Sequence, residues 1–288
     1  SVGDPARVTN LCDIVRGALP LRPVVVVSAA SKVTDMLLTA ARKAADGAVD
    51  VAPIEQRVTG LLDAFGLPAS LIAAELSGLR EALAVIAADR TLTAERSDLV
   101  ASFGERISVR GIAATLRAKG IDAEAHDAFD LGLVTDDHFG GAEPLPESDA
   151  VMRARLEAAV GRGVVPVVTG FIGKTRDGRV TTLGRGGSDY SAAIVGAAVD
   201  ADEIEIWTDV PGVMSSDPRV VPEAHTIPTL SFDEAAELAY FGAKVLHPQT
   251  MAPAIERGIP IVARNTFHPE HPGTRISAEV DLAQPVKG

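Results

Sequence analysis

Pro23-Val24-Val25-Val26-Val27-Ser28-Ala29-Ala30-Ser31 is the stretch on which the fold of this 288-residue chain turns. Four β-branched residues in a row lack the alternation of a strand with one wet face, so Val24 to Val27 reads as a parallel strand covered on both sides. Upstream, Val8, Leu11, Ile14, Val15 and Leu19 recur at the helical period, with Asp4 placed to cap and Pro5 in the first turn. The spacing predicts an amphipathic helix over 5–19. Cys12, the only cysteine, falls on its inner face, and a lone buried thiol suits a reducing compartment.

Downstream, residues 34–119 read as helical throughout, interrupted at Gly47, Pro53, Gly66, Pro68 and Gly104. The later half alternates: helix 148–160, strand 164–169, helix 188–199, strand 203–208, helices 231–241 and 248–257, strand 259–262. Such alternation predicts an α/β protein with a mainly parallel sheet covered by helices. The turn-rich segment 169–187 is the natural junction between two lobes, which are expected to share one sheet. A hydrophobic fraction of 47% with only 4% aromatics agrees, since it implies a core of Ala, Val, Leu and Ile.

The charges exclude some partners. With 27 basic against 39 acidic residues and a net charge of −12, no run of Lys or Arg offers a nucleic-acid or membrane surface, so an anionic substrate must be held by local cations. No stretch approaches the ~20 apolar residues that span a bilayer, and the first residues carry no signal pattern. A soluble, cytoplasmic protein is expected.

Several motifs fail on inspection. Gly170-Phe171-Ile172-Gly173-Lys174-Thr175 suggests a phosphate loop, but Val168 stands where that loop needs its first glycine, and Arg176-Asp177-Gly178-Arg179 turns where a helix should start. There is no G-x-G-x-x-G after a strand and no G-x-S-x-G elbow. His268 and His271, between Pro269 and Pro272, have no companions at metal-ligand spacing and read as a polar loop.

Other segments can carry chemistry. Leu183-Gly184-Arg185-Gly186-Gly187-Ser188-Asp189-Tyr190-Ser191 sets three glycines and an arginine before an Ala-rich helix. Backbone N–H groups there can cradle an anion and Arg185 can clasp a carboxylate, with Ser188 and Asp189 at the cap and first turn; a tight turn with an ordinary cap explains the same residues. Trp207-Thr208-Asp209-Val210-Pro211-Gly212 lies past a strand's C-terminal end, where open α/β sheets bind ligands, and Met214 to Arg219 ends the loop in a cation. Lys244, in Phe241-Gly242-Ala243-Lys244-Val245-Leu246-His247-Pro248, can reach a phosphoryl group or can snorkel at the surface. Glu105, in Phe103-Gly104-Glu105-Arg106, is read near a helix start, where it can accept from an ammonium group or complement the helix dipole. Ser28 to Thr34 can line a ligand or cap the next helix.

Taken together, Ser1 to Asp4, Ser28 to Leu37, Gly170 to Gly173, Thr181 to Tyr190, Trp207 to Arg219, Phe241 to Pro248 and Pro272 to Ile276 resemble aspartate kinases in order and spacing. Only Val49 to Ala101 is generic. The resemblance implies the amino acid kinase fold, a three-layer α/β/α sandwich forming a single domain over 1–288. Its N-terminal lobe, 1–170, would hold the acceptor aspartate, and its C-terminal lobe, 171–288, the ATP. It further implies that Arg185 and Ser188 bind aspartate, that Glu105 meets its amino group, and that Ser28, Thr34 and Phe171 line the pocket. Asp189 would organise the catalytic lysines. Thr208, Asp209, Arg219 and Lys244 would hold the nucleotide, with Gly186 and Gly187 close to its phosphates, Lys244 facing the transferred group, and Met214 where many relatives carry tyrosine.

The implied cofactors are ATP and Mg²⁺, the ion held mainly by the phosphates rather than by a protein metal site. The implied partners are small molecules, and the chain is expected to form a homo-oligomer. In the family a strand and a Lys-Phe-Gly-Gly-Thr loop precede the Ser-Val pair, and paired regulatory domains follow the segment matching Gly273 to Ile276. A chain running from Ser1 to Gly288 is therefore expected to lack the main γ-phosphate lysine and feedback control. Two other readings stay open: a glutamate or acetylglutamate kinase, and a paralogue that binds without turnover. An acetylated acceptor has no ammonium group for Glu105 to meet.

Overall fold

The computed structural model describes residues 2–216, 220–221, 223–240 and 246–278. The chain divides into two compact units, Ser1–Ser188 and Asp189–Gly288.

The first unit opens with α1 (Pro5–Ala18), whose N-cap Asp4 accepts the Arg7 N–H at 2.9 Å and which buries Val8, Cys12 and Val15. Next come β1 (Val25–Val27), α2 (Val33–Ala45), α3 (Ala52–Asp63), α4 (Ala73–Asp89) and α5 (Ala94–Ala118). These are followed by β2 (Ala123–His126), β3 (Val134–Thr135), α6 (Ser148–Gly161), β4 (Val165–Thr169), β5 (Ile172–Thr175) and β6 (Val180–Thr182).

Helix α5 serves two cores. Its Val100, Phe103 and Ile107 pack with Leu37, Ile54, Leu79 and Leu83 of the preceding helices. Its Val109, Ile112 and Leu116 pack with Val8, Cys12 and the strand residues Val27, Val165 and Val167. A helix wedged between other helices and a sheet must be apolar on most of its circumference, and α5 buries residues on nearly every turn.

The sheet beside it has the order β1-β4-β2 and is parallel throughout, with Val25 opposite Val167 and Ala125 opposite the same residue on the other side. All five residues of β4 are buried. Val165 and Val167 face α5, the alternate residue Val168 points to the other face and is equally buried, and α6 packs on the same strand. The Val run itself forms β1, parallel as expected, but it lies at the edge of this sheet among the described residues, with Val25 and Val26 only half-buried; the strand buried along its length is β4. A separate sheet, β3-β5-β6, contains the antiparallel hairpin of β5 and β6, with Ile172 opposite Thr182. The hairpin occupies the segment that mimics a phosphate loop, in keeping with the rejection of that reading.

The second unit runs from α7 (Gly187–Ala198), which carries the chain across the division, through β7 (Ile204–Thr208), β8 (Thr229–Ser231), α8 (Phe232–Tyr240), α9 (Pro248–Arg257), β9 (Ile261–Asn265) and β10 (Thr274–Ser277). Its sheet has the order β7-β9-β10-β8, with β7 parallel to β9, β8 parallel to β10, and β10 antiparallel to β9. Ala193, Ile206, Leu230, Phe232, Met251, Ile261 and Ile276 form its core. A reciprocal capping box starts α8: the Ser231 hydroxyl accepts the Glu234 N–H at 3.0 Å, and the Glu234 carboxylate accepts the Ser231 N–H at 2.7 Å.

The α/β class and the mainly parallel pairing are as expected. Two expectations are corrected. Among the described residues the strands pair into three sheets instead of one shared sheet. Strands β2, β3, β5, β6, β8 and β10 also lie outside the predicted strands, because they are short and several lack a β-branched run.

In the second unit, Thr274 is fully buried; its hydroxyl accepts the Val213 N–H at 2.8 Å and donates to the Ile227 carbonyl at 2.6 Å. Thr274→Val keeps the shape but orphans two buried backbone groups, so it should lower unfolding stability by about 2 kcal/mol. Urea denaturation measures this; a loss under about 0.5 kcal/mol would contradict the assigned bonds.

Candidate active site

In the first unit the Val strand delivers Ser28 and Ala29 to the edge of the sheet, and the Gly170 N–H donates to the Val27 carbonyl at 2.8 Å, drawing a second loop alongside. Lys32 takes a left-handed backbone (φ 70°) at the N-cap of α2 and makes no side-chain cap bond. The capping role left open for this segment is therefore not what its side chains do at that position. Thr34 is half-buried in the first turn of α2.

The same loop meets α5. The Ala29 N–H donates to Glu105 Oε1 at 3.1 Å. A Cβ on Gly104 would lie 2.8 Å from the Ala29 Cβ, so the missing side chain is what lets the helix approach the loop. Glu105 is not at a helix start, as the sequence suggested, but near the middle of α5. It is 2% exposed, and its Oε2 has no hydrogen-bond partner among the described residues. Burial pushes its carboxyl up to about 7, against the pull of the Ala29 N–H.

Neighbouring charges fix this part of α5. Asp127, just past β2, accepts from Arg106 Nε at 3.2 Å and Arg110 Nη1 at 2.8 Å, and Arg110 Nε also meets the buried Glu75 at 2.7 Å. The next residue, Ala128, donates its N–H to the Thr169 hydroxyl at 2.8 Å, tying the cluster to the end of β4.

The arginine-glycine turn lies against the Gly170-Phe171 corner. Leu183 N–H donates to the Phe171 carbonyl at 2.8 Å and Phe171 N–H to the Gly187 carbonyl at 3.3 Å, with Phe171 left-handed at φ 66°. The turn closes through the Gly187 N–H to the Gly184 carbonyl at 3.1 Å. A Cβ on Gly187 would lie 2.5 Å from the Phe171 ring, so this packing requires glycine. Helix α7 begins at Gly187, which puts Ser188 inside its first turn and not at the cap. Phe171, Arg185, Gly186, Gly187 and Ser188 are thus brought together. Arg185 is exposed and pairs with nothing among the described residues, beside N–H groups that suit an anion.

One residue of this region carries no sequence signal. Asp98, 4% exposed, accepts the Gly140 N–H at 2.9 Å, the Thr182 N–H at 2.8 Å and the Thr182 hydroxyl at 2.9 Å. Burial raises its carboxyl above the ordinary range, and the three donors work against that shift. Its partners lie 42 and 84 residues away in the chain, beyond any local pattern.

In the second unit Thr208 ends β7, its hydroxyl 3.3 Å from the Asp209 carboxylate and its carbonyl accepting the Thr266 N–H at 2.8 Å. Met214 bridges to Thr226, whose hydroxyl lies 3.6 Å from the Met214 sulfur. Burial pushes Asp189, in the first turn of α7, up to about 6. Arg219 and Lys244 lie outside the described residues. Among the described residues no group of three or more His, Cys, Asp or Glu could hold a metal ion, and no helix is long and apolar enough to cross a membrane.

The family model described as the amino acid kinase family matches residues 1–265. The chain is 39% identical to aspartokinase 3, chloroplastic, of Arabidopsis thaliana, over 99% of this chain and 53% of that protein. It is 36% identical to lysine-sensitive aspartokinase 3 of Escherichia coli (strain K12), over 96% of this chain and 62% of that protein. The crystal structure of E. coli aspartokinase III in complex with aspartate and ADP superimposes with a TM-score of 0.81 at 33% identity, covering 98% of this chain and 63% of that one. The chain spans about half the length of the Arabidopsis protein it matches.

The state of Glu105 makes stability depend on pH. Its carboxyl rises from an ordinary 4.5 to about 7 on folding, so the folded protein keeps a proton that the unfolded chain releases in that interval. The contribution is fully present below pH 4.5 and is lost as pH rises through about 7, amounting to roughly 3 kcal/mol. Glu105→Gln should remove this slope and leave the variant the more stable protein at pH 8. Parallel denaturation profiles for the two proteins between pH 5 and 8 would show that the carboxylate is not isolated.

Proposed function

The chain belongs to the amino acid kinase family, and we propose that it is the catalytic part of an aspartate kinase, moving the γ-phosphoryl group of ATP to the β-carboxylate of L-aspartate. The product is 4-phospho-L-aspartate, an early intermediate on the routes to lysine, threonine and methionine, made in the cytoplasm by an assembly of identical chains.

The observation that carries this reading is the buried Glu105 with one oxygen bound by Ala29 and the other without a partner among the described residues. An isolated carboxylate held in a dry site is costly unless a cation comes to it. The amino group of an amino acid is such a cation, and Ser28 and Thr34 belong to the loop that Glu105 touches. Arg185, on its glycine turn, supplies the complementary charge for a carboxylate, and Ser188 and Phe171 complete the acceptor's surroundings. An N-acylated acceptor would leave Glu105 unmet, which disfavours the acetylglutamate reading. The similarity to aspartokinases over nearly the whole chain supports the same substrate.

Thr208, Asp209 and Met214 of the second unit would hold the nucleotide together with Arg219 and Lys244, with Gly186 and Gly187 against the phosphates. Lys244 would face the transferred phosphoryl group and Asp189 would orient the lysines, its carboxyl being ionised above about 6. Mg²⁺ carried on the phosphates would neutralise part of their charge.

The chemistry asks little of acid or base. A free aspartate side chain ionises near 3.9 and is already a nucleophile at neutral pH. One of its oxygens forms a bond to the γ-phosphorus as the bond to the β-γ bridging oxygen breaks and ADP leaves with that electron pair. Catalysis then consists of holding the carboxylate in line and stabilising charge on the phosphoryl oxygens.

The test incubates the protein with ATP, Mg²⁺ and aspartate and traps the acyl phosphate with hydroxylamine. Hydroxamate should form with aspartate; no hydroxamate with aspartate but hydroxamate with acetylglutamate, or ADP released on adding a nucleoside monophosphate, would refute the substrate assignment. Calorimetry on the same chain should give aspartate binding that Glu105→Gln weakens about 10²-fold, the loss of a buried ion pair of ~3 kcal/mol.

A further inference from the structure

We propose that Asp98 is a positioning residue for the acceptor site, fixing the arginine-glycine turn to the helix that also carries Glu105. The inference rests on the acceptor reading above and adds a residue to it. Asp98 touches no proposed substrate ligand. It acts through Thr182, which ends β6 and leads directly into Leu183, Gly184 and Arg185.

Three features support the assignment. First, Asp98 is 4% exposed and spends both oxygens on the turn's supports: Oδ2 accepts the Gly140 and Thr182 N–H groups, and Oδ1 accepts the Thr182 hydroxyl. No cation pairs with it among the described residues, so its three bonds all hold backbone or strand. Second, those bonds converge beneath the turn. The Ala142 N–H donates to the Thr182 carbonyl at 2.9 Å, and a Cβ on Gly184 would lie 3.1 Å from the Gly140 carbonyl oxygen, so the 140–142 loop and residues 182–184 form one packed unit around the carboxylate.

Third, Asp98 and Glu105 are seven residues apart on α5, which is two turns and about 10 Å along one face of the helix. One carboxylate grips the Ser28-Ala29 loop and the other the lead into Arg185. A single rigid helix thereby sets the spacing between the group that receives an ammonium and the turn that receives a carboxylate.

The experiment compares wild type, Asp98→Ala and Asp98→Asn. Asparagine can still accept both backbone N–H groups through its oxygen, and the Thr182 hydroxyl can rotate to accept from its amide, so this variant keeps the clamp without the charge. Amide exchange by mass spectrometry, with no ligand present, should quicken in Asp98→Ala over residues 182–187 and 140–142 and stay unchanged in α7 beyond its first turn. Calorimetry should show aspartate affinity about 10-fold weaker in Asp98→Ala and within about 3-fold of wild type in Asp98→Asn, with a smaller loss for ATP, about 3-fold at most, since Gly186 and Gly187 of the same turn are assigned to its phosphates. If Asp98→Ala does not fold, Thr182→Val carries the same comparison with a smaller change of about 3-fold.

Unchanged exchange at 182–187, or equal losses for aspartate and ATP, overturns the proposal. Failure of wild type to bind aspartate would instead remove the acceptor reading, while the exchange result still decides whether Asp98 holds the turn.

Discussion

A carboxylate withdrawn from water without a counter-charge costs several kcal/mol, and helix α5 carries two of them, Asp98 and Glu105. They meet that cost in different ways. Asp98 is saturated by three neutral donors, which makes it a joint. Glu105 has one donor and, among the described residues, an oxygen left over, which under the proposed function makes it a socket. The helix that holds both is locked between a helical core and a sheet core, so neither can relax by moving toward solvent. The proposed acceptor site depends on that immobility.

Much of the fold could be read from residues. Four consecutive valines announced a parallel strand, but the strand buried along its whole length is the neighbour β4, while Val25 and Val26 stay half-buried. Helix periods located α1, α6 and α9 to within a residue or two. What escaped had physical causes. Ala123-Glu124-Ala125-His126 has neither β-branching nor alternation, and becomes a strand because β4 offers it an edge. The β5-β6 hairpin hid behind glycines and basic residues that imitate a different loop.

The site was legible where chemistry concentrates in short segments and illegible where it is assembled over distance. The glycines of 184–187 and Arg185 stood out because a turn and a charge adjoin each other in the chain. Glu105 stands in a recognisable motif, but its surroundings differ from the helix start its sequence suggests: Gly104 marks a close helix-loop contact within α5. Asp98 could not be found, since an aspartate ahead of Leu99 and Val100 looks like any solvated helix position until residues 140 and 182 arrive beside it.

The charge cluster around Asp127 carries a further consequence for ionic strength. Asp127 and Glu75 are nearly out of reach of solvent, and mobile ions screen such pairs little, whereas Arg80 with Glu55 and Arg176 with Glu147 sit in the open. Concentrated salt therefore loosens the rim of the first unit and leaves the seat of α5 in place, so a protein built this way can gain or lose surface attractions with its surroundings while its inner scaffold keeps one geometry.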